Sequence, residues 1–201
     1  MIRLATPADA EGIARIYDPV VSGTAISFEV DPPGPGEVER RIRETLELTP
    51  WLVEASEDGV RGYAYASRHR DRAAYRWSAD VAVYVRGDQR RRGIGRALYA
   101  TLFALLRLQG FHAAHAGITL PNAASVALHE SVGFRPVGVY PAVGYKLGAW
   151  RDVGWWQLEL RARSSAPGPL RRVPELRADP AWISVLSAGA GDRSVLGGET
   201  T

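Results

Sequence analysis

The sequence predicts a single α/β domain in which strands and helices alternate along most of the chain. Hydrophobic residues recur at helical spacing in some segments and at strand alternation in others, with glycine and proline clusters between them. The 201 residues are enough for one hydrophobic core and too few to favour two ordinary domains. With no cysteine in the chain, hydrophobic burial rather than disulfide bonding must stabilise that core.

The first segments predict a strand followed by two helices. A short strand leads to Thr6 as N-cap, Pro7 at the first helical position and Asp9 closing a capping box. A breaker cluster, DPPGPGE, separates this helix from a second amphipathic one, which should end before Pro50. The apolar positions that define the second helix are Val38, Ile42, Leu46 and Leu48.

Three strands are predicted next. WLVEA and VRGYAYASR flank a turn that contains Asp58-Gly59, which is typical of a hairpin. WSADVAVYV then alternates, so that Val81, Val83 and Val85 share one face. The mid-strand carboxylate of Asp80 falls on the other face, where it must be paired or face a wet cleft.

The remaining ordered part predicts a helix from Gly93 to Gly110, a strand in FHAAHAGITL, a short helix in PNAASVALHESVGF and two closing strands. The element order is therefore β-α-α-β-β-β-α-β-α-β-β. Residues 164–201 are rich in Ser, Pro, Gly and Ala without periodicity, and we expect a mostly disordered tail in which AWISVL is a possible docking segment.

Composition weakens several classes of function. The net charge of +3 comes almost entirely from arginine, with a single lysine, so it indicates compositional bias rather than nucleic-acid binding. Without cysteine, and with four scattered histidines, a metal site is not expected. No apolar run is long enough to cross a bilayer and no secretion signal is recognisable, so we expect no membrane partner and a cytoplasmic location.

The stretch DQRRRGIGRAL, residues 88–98, predicts an anion-binding loop between a strand and a helix. Gly93 and Gly95 carry no side chain that would block the backbone, so amide groups at the helix start can point at a phosphate. The spacing fits neither a Walker loop nor a Rossmann fingerprint, because no Gly-Lys-Ser/Thr follows and the third glycine position is Leu98.

Two motifs resemble the GNAT acyltransferase superfamily. Arg90-Arg91-Arg92-Gly93-Ile94-Gly95 is similar to its Q/R-x-x-G-x-G/A motif for the pyrophosphate of acetyl-CoA, and LPNAASVALHESVGF is similar to its later N-x-x-(S/A)-x-x-L-(Y/H)-x-x-x-G-F segment. Over about residues 2–161 the chain resembles the phosphinothricin and methionine sulfoximine N-acetyltransferases. That group usually has glutamate in place of Asp80 and tryptophan in place of His69.

The resemblance implies an acetyltransferase domain over residues 1–163, built on a mostly antiparallel mixed sheet that is splayed at the acetyl-CoA site, with helices on both faces. It implies acetyl-CoA as co-substrate, no metal, and a homodimer. The residues expected to bind acetyl-CoA lie on one strand, the following loop and two helix starts: Val83, Tyr84, Val85, Arg90, Arg91, Arg92, Gly93, Ile94, Gly95, Arg96, Asn122 and Ser125.

Two side chains are candidates for proton transfer, each with a structural alternative. Asp80 could act through water as general base for the substrate ammonium, or form a salt bridge with Arg70, Arg72 or Arg76. His129 could protonate the departing thiolate, or be a partly buried structural histidine. His112 and His115 are three positions apart on a strand, face opposite sides and are taken as structural.

The acceptor is expected to be a small acidic amino acid, acetylated on its α-amino group by direct attack in a ternary complex. Arg70 and Arg72 could pair with its carboxylate or phosphinate, or be solvated edge charges, and Phe28 and Tyr75 could line the pocket. The alternatives are an acetyltransferase for another amine, such as a protein N-terminus or a polyamine, a non-catalytic acyl-CoA-binding module, and a basic nucleic-acid binder.

Overall fold

The computed structural model describes residues 1–191, which form one seven-stranded sheet with helices packed around it. The strands are β1 (Ile2–Leu4), β2 (Trp51–Ser56), β3 (Gly59–Arg68), β4 (Ser78–Val85), β5 (Ala113–Leu120), β6 (Arg135–Lys146) and β7 (Ala149–Glu159). The helices are α1 (Ala10–Gly23), α2 (Gly34–Leu46), α3 (Ile94–Gln109), α4 (Ala123–Ser131), α5 (Val173–Leu176) and α6 (Pro180–Gly191).

The sheet has the order β1-β2-β3-β4-β5-β7-β6, and only the β4–β5 pair is parallel. This confirms the mixed, mostly antiparallel sheet, and the predicted order of elements is correct up to residue 159. Gly59, the first residue of β3 after the turn, has a φ of +91°, a left-handed conformation that glycine adopts without a Cβ clash.

Helices pack on both faces of the sheet, because successive side chains of each strand point to opposite faces. Tyr63 and Tyr84 are cross-strand partners, and the Tyr84 ring meets the Tyr17 ring of α1 at 5.0 Å between centroids. The neighbouring Gly62 faces the other way, where an added Cβ would lie 3.0 Å from Ile94 of α3. One buried core therefore runs through both sides of β3 and β4.

Segment 164–191 differs from the predicted disorder. It forms α5 and α6, and it buries three side chains against the domain: Val173, Leu176 and Trp182, the last of which is 1% exposed. The sequence did not predict this packing, because the three buried side chains are separated by small residues and prolines and so produce no sustained periodicity. The rest of the predicted tail, 192–201, lies outside the described residues, and the domain boundary at 163 stays a prediction.

Candidate active site

A gap opens in the sheet between β4 and β5. The two strands pair only from Ser78–Asp80 to Ala113–His115, although β4 continues to Val85 and β5 to Leu120. Beyond Asp80, the edge of β4 that faces β5 is therefore not paired with another strand. The predicted splay of the sheet is present at this place.

Backbone groups of β4 face this gap. The Arg86 N–H donates to the Arg61 carbonyl at 2.9 Å, which fixes the alternation of the β3–β4 ladder. By that alternation the N–H and C=O groups of Val83 and Val85 point away from β3 and into the gap. An extended amide chain such as a pantetheine arm could pair with them as a strand would, which fits the predicted backbone roles of both valines.

The loop after β4 presents amides and arginines at the start of α3. Gly93 has a φ of +75°, and the first backbone bond inside the helix runs from the Ala97 N–H to the Gly93 carbonyl at 3.0 Å. The three amides of residues 94–96 thus have no acceptor within the helix. The arginines around them are exposed: Arg90, Arg91, Arg92 and Arg96. Open amides, the helix dipole and guanidinium groups together fit a diphosphate.

Three residues of the predicted binding set can contribute only their backbone. Ile94 is 1% exposed and its side chain belongs to the core. The ring of Tyr84 packs beside Tyr17 and Tyr63 on the opposite side of the sheet from α3. Gly95 is buried, and a Cβ there would lie 3.2 Å from Leu128, so the expectation that this glycine keeps phosphate space open is wrong. Gly95 instead allows α3 to pack closely on α4.

The start of α4 follows the prediction for Asn122. Its side-chain oxygen accepts a hydrogen bond from the Ser125 N–H at 3.2 Å, which confirms Asn122 as the N-cap. Asn122 and Ser125 are both partly exposed. Their contacts with a pantetheine arm stay predictions.

His129 is buried, and both of its ring nitrogens have partners. Nδ1 lies 2.7 Å from the Ser125 carbonyl and therefore carries the proton, so Nε2 accepts from the Tyr99 hydroxyl at 2.9 Å. Burial lowers the pKa of His129 and favours the neutral ring. The catalytic role of His129 stays a prediction, and these contacts favour its structural alternative. Because Nδ1 is a donor, His129 cannot deprotonate the nearby Ser125 hydroxyl.

Asp80 has a partner that the sequence did not suggest. Its Oδ1 lies 2.7 Å from Nδ1 of His69, and no salt bridge joins it to Arg70, Arg72 or Arg76 within the described residues. Burial raises the pKa of Asp80, while the hydrogen bond from His69 opposes the rise. Asp80 is thus a partly desolvated carboxylate that is hydrogen-bonded to an imidazole.

His115 belongs to the same cluster, although the sequence indicated only a structural role. It lies opposite Asp80 in the β4–β5 register, and its ring stacks on His69 with centroids 4.3 Å apart. Strand alternation predicts which face of β5 carries His115, but it does not predict that β5 lies next to β4. The sequence alone therefore could not place His115 beside Asp80. The sequence likewise gave His69 no pairing signal, because it lies just after β3.

The predicted acceptor residues are divided between this cluster and a neighbouring loop. Tyr75 meets the edge of His69 at 5.8 Å, and the Arg70 guanidinium lies 5.5 Å from the centroid of the Trp155 ring. Arg72 is exposed and forms no ion pair with any residue in 1–191. Phe28 is 39% exposed on the loop between α1 and α2, where its ring contacts Gly144 of β6.

Other kinds of site are not evident in the described part of the chain. Residues 1–191 contain no cluster of three or more histidine and carboxylate side chains that could hold a metal ion. None of their helices is both long and apolar enough to cross a membrane.

The comparisons with known proteins agree with this geometry. Residues 2–155 match the acetyltransferase (GNAT) domain family, and the chain belongs to that family. It is therefore an acetyltransferase, and relatives of it are named N-acetyltransferases.

Among its relatives, a phosphinothricin N-acetyltransferase from Streptomyces viridochromogenes is 37% identical over 175 residues, covering 87% of this chain and 95% of that protein. An L-methionine sulfoximine/L-methionine sulfone acetyltransferase from Pseudomonas paraeruginosa is 37% identical over 171 residues, covering 83% and 98%. A crystal structure of a phosphinothricin acetyltransferase from Sinorhizobium meliloti in complex with acetyl-CoA superposes with a TM-score of 0.77 at 32% identity, covering 84% and 95%.

Proposed function

We propose that the protein transfers the acetyl group of acetyl-CoA to the α-amino group of a small acidic amino acid or analogue, of the phosphinothricin or methionine sulfoximine and sulfone type. The observation that carries this proposal is the β4–β5 gap with an anion-binding helix start at its end. The names of the relatives support the acceptor class.

The gap supports direct attack in a ternary complex. The backbone amides of Val83 and Val85 would hold the pantetheine arm and face the carbonyl oxygen, where negative charge develops. Asp80 would serve deprotonation of the acceptor ammonium. His129 remains the candidate for protonating the thiolate, on the condition that it exchanges one of its present hydrogen bonds. No cysteine is available for an acyl-enzyme.

An anionic acceptor fits the arginines near the site, which form no ion pairs within residues 1–191. Arg72 has no carboxylate partner within residues 1–191, whereas all three arginines of α2 form ion pairs with glutamates. A free guanidinium can form two parallel hydrogen bonds with a carboxylate or a phosphinate. Arg70 is held nearby over Trp155, and Tyr75 and Phe28 would supply the apolar walls.

Replacing Arg72 tests the acceptor class. In Arg72→Ala the KM for phosphinothricin or methionine sulfoximine should rise about tenfold or more, because the anionic acceptor loses a charge-assisted pair. Arg76→Ala, which removes an exposed cation that stacks on Trp77, is the matched control and should change KM little. Steady-state assays of CoA release would measure both. Equal changes in KM for anionic and neutral amines would remove the acidic acceptor from the proposal.

We also propose a homodimer and a cytoplasmic location. The β6–β7 hairpin, whose strand β6 lies at the edge of the sheet, carries several exposed apolar side chains. They are Val137, Val139, Tyr140, Val143, Tyr145, Leu147 and Trp150. A surface of this kind on an edge strand favours pairing with a second copy. The cytoplasm is where an acetyl-CoA-dependent enzyme would meet its co-substrate, which supports that location.

A further inference from the structure

We propose that Nε2 of His69 is the atom that takes the proton from the acceptor's ammonium, and that Asp80 acts through His69 as a positioning residue. This inference rests on the proposed N-acetyltransferase function and specifies its base. It assigns to His69 a catalytic role in a position where the resembling enzymes usually have tryptophan.

The hydrogen bond between the two residues fixes the chemistry of the ring. A carboxylate can only accept, so the 2.7 Å contact with Oδ1 of Asp80 places the imidazole proton on Nδ1. Nε2 then carries a lone pair. No residue in the described part of the chain hydrogen-bonds to Nε2, and the His69 side chain retains 14% exposure. The atom is therefore available to a molecule in the cleft.

The ring is also held in place on several sides. His115 stacks on it, Tyr75 meets its edge, and the Trp155 ring lies at 6.0 Å and nearly perpendicular to it. A base that is fixed before the substrate arrives loses little entropy in the reaction. Together with the hydrogen bond to Asp80, these contacts hold the ring with Nδ1 directed at Asp80.

The dyad lies at the end of the gap in the sheet. Asp80 and His115 form the last residue pair before β4 and β5 separate, and the free backbone of β4 begins at Val81. The thioester would therefore lie a few residues along β4 from the dyad. A base at this place can reach an amine that attacks the thioester carbonyl.

Imidazole is chemically better suited to this step than a carboxylate. A free imidazole titrates near pH 6.5 and a free aspartate near 3.9, and a base is most effective when it titrates near the working pH. The charged groups that face His69 are Asp80 on β4 and Arg70 on its own segment, with His115 and Tyr75 as titratable neighbours. Asp80 stabilises the imidazolium that forms, as a buried aspartate does in a catalytic triad. His115 is neutral at working pH and adds no opposing charge.

Nε2 of His69 takes one proton from R–NH3⁺ and becomes imidazolium. The nitrogen lone pair of R–NH2 attacks the acetyl carbonyl carbon, the C–N bond forms and the C–S bond breaks. The second proton released by the nitrogen goes to the departing sulfur, which gives CoA–SH. Imidazolium then returns its proton to water.

Substitutions at the dyad test the proposal. His69→Phe keeps the ring stack on His115 and removes both nitrogens, and His69→Gln is a second variant in case the first does not fold. Both should lower kcat by about 10²-fold or more, with acetyl-CoA affinity by calorimetry unchanged. His112→Phe, the same substitution on a histidine outside the cluster, should retain wild-type turnover. The fall of kcat/KM at acid pH should be lost in the His69 variants.

A double-mutant cycle separates Asp80 acting through His69 from Asp80 acting alone. Asp80→Asn should lower kcat by about 10²-fold or more, and Asp80→Asn/His69→Phe should be no slower than His69→Phe. Turnover of both His69 variants within threefold of wild type, or multiplying effects in the double variant, would overturn the proposal. Failure of the wild type to release CoA with any amine would instead remove the proposed function itself.

Discussion

At the scale of single residues, His115 shows how the fold controls charge at the site. Its ring is partly buried and stacks on His69, and this burial lowers the pKa of His115 to about 4, with Coulombic effects of His69 and Arg70 in the same direction. A histidine in the unfolded chain titrates near 6.5. The native state therefore excludes a proton that the unfolded state binds between about pH 4 and 6.5.

This difference predicts a loss of stability in acid. Because the folded pKa is depressed, the unfolded chain gains protons first as pH falls, and the free energy of unfolding should fall between pH 6.5 and 4. His115→Phe keeps the stack but cannot titrate, so its stability relative to wild type should improve as pH falls through that window. Urea unfolding of both proteins from pH 4 to 7 would measure this. A constant difference at all pH values would contradict the assignment.

The chemistry of the site was only partly readable from residues. Asp80 was identified because a carboxylate in an apolar strand must be paired or solvated. Gly93 was identified because a glycine before a helix leaves the N–H groups of the first helical turn accessible. The partner of Asp80 was not readable. His69 lies after β3 and His115 on β5, and their meeting depends on the parallel register of β4 and β5, which no local pattern encodes.

At the scale of elements, the loop between α1 and α2 is held by the only lysine of the chain. Lys146 is buried at the end of β6, and its Nζ donates to the carbonyls of Val21, Ser27 and Glu29 at 2.6–2.7 Å. The same loop carries Phe28, a predicted acceptor residue. Lys146 therefore fixes the position of one wall of the proposed pocket.

Lys146→Met should loosen this loop. Three carbonyls lose their donor, so we expect a loss of about 2 kcal/mol in the free energy of unfolding and an increase of several-fold in acceptor KM. Acetyl-CoA affinity should change little, because the loop after β4 is not involved. Denaturant unfolding and steady-state kinetics would test both effects.

Arg43→Met is the matched control, because Arg43 forms an exposed ion pair with Glu39 on α2. Exposed pairs contribute at most about 1 kcal/mol, so this variant should resemble wild type. Unchanged stability and unchanged acceptor KM in Lys146→Met would show that the loop does not depend on the lysine.

Elements with strong periodicity were predictable, and those without it were not. α1 to α3 and the strands followed from apolar spacing and from glycine and proline boundaries. α6 was missed because it is apolar without a clear face and carries small residues. Packing against α3 and β1 determines this helix, and such tertiary contacts are not visible in a local window.

At the scale of the whole molecule, the segment after Arg163 completes the core. Trp182 is buried, Gln109 of α3 donates to the Arg171 carbonyl at 2.8 Å, and Trp77 donates to the Gly168 carbonyl at 2.8 Å. The segment therefore contacts residues that are distant from it in sequence. Its removal would therefore expose apolar surface and leave polar groups without partners.

Two neighbouring residues of α6 allow a matched test. Trp182→Ala should lower the free energy of unfolding by about 3–5 kcal/mol, because it opens a cavity in the core. Ile183→Ala, at a side chain that is 49% exposed, should cost less than about 1 kcal/mol. Thermal and urea unfolding would measure both variants. Equal and small effects would show that α6 does not dock in solution.

The decisive assay of the proposed acetyl transfer is CoA release from acetyl-CoA with a panel of amines. The panel would hold phosphinothricin, methionine sulfoximine, methionine sulfone, a neutral amino-acid amide, a polyamine and a peptide with a free N-terminus. We predict that the first three are acetylated with the highest kcat/KM, and that mass spectrometry finds the acetyl group on the α-nitrogen. CoA release with every amine no faster than hydrolysis of acetyl-CoA alone would contradict the proposed acetyl transfer.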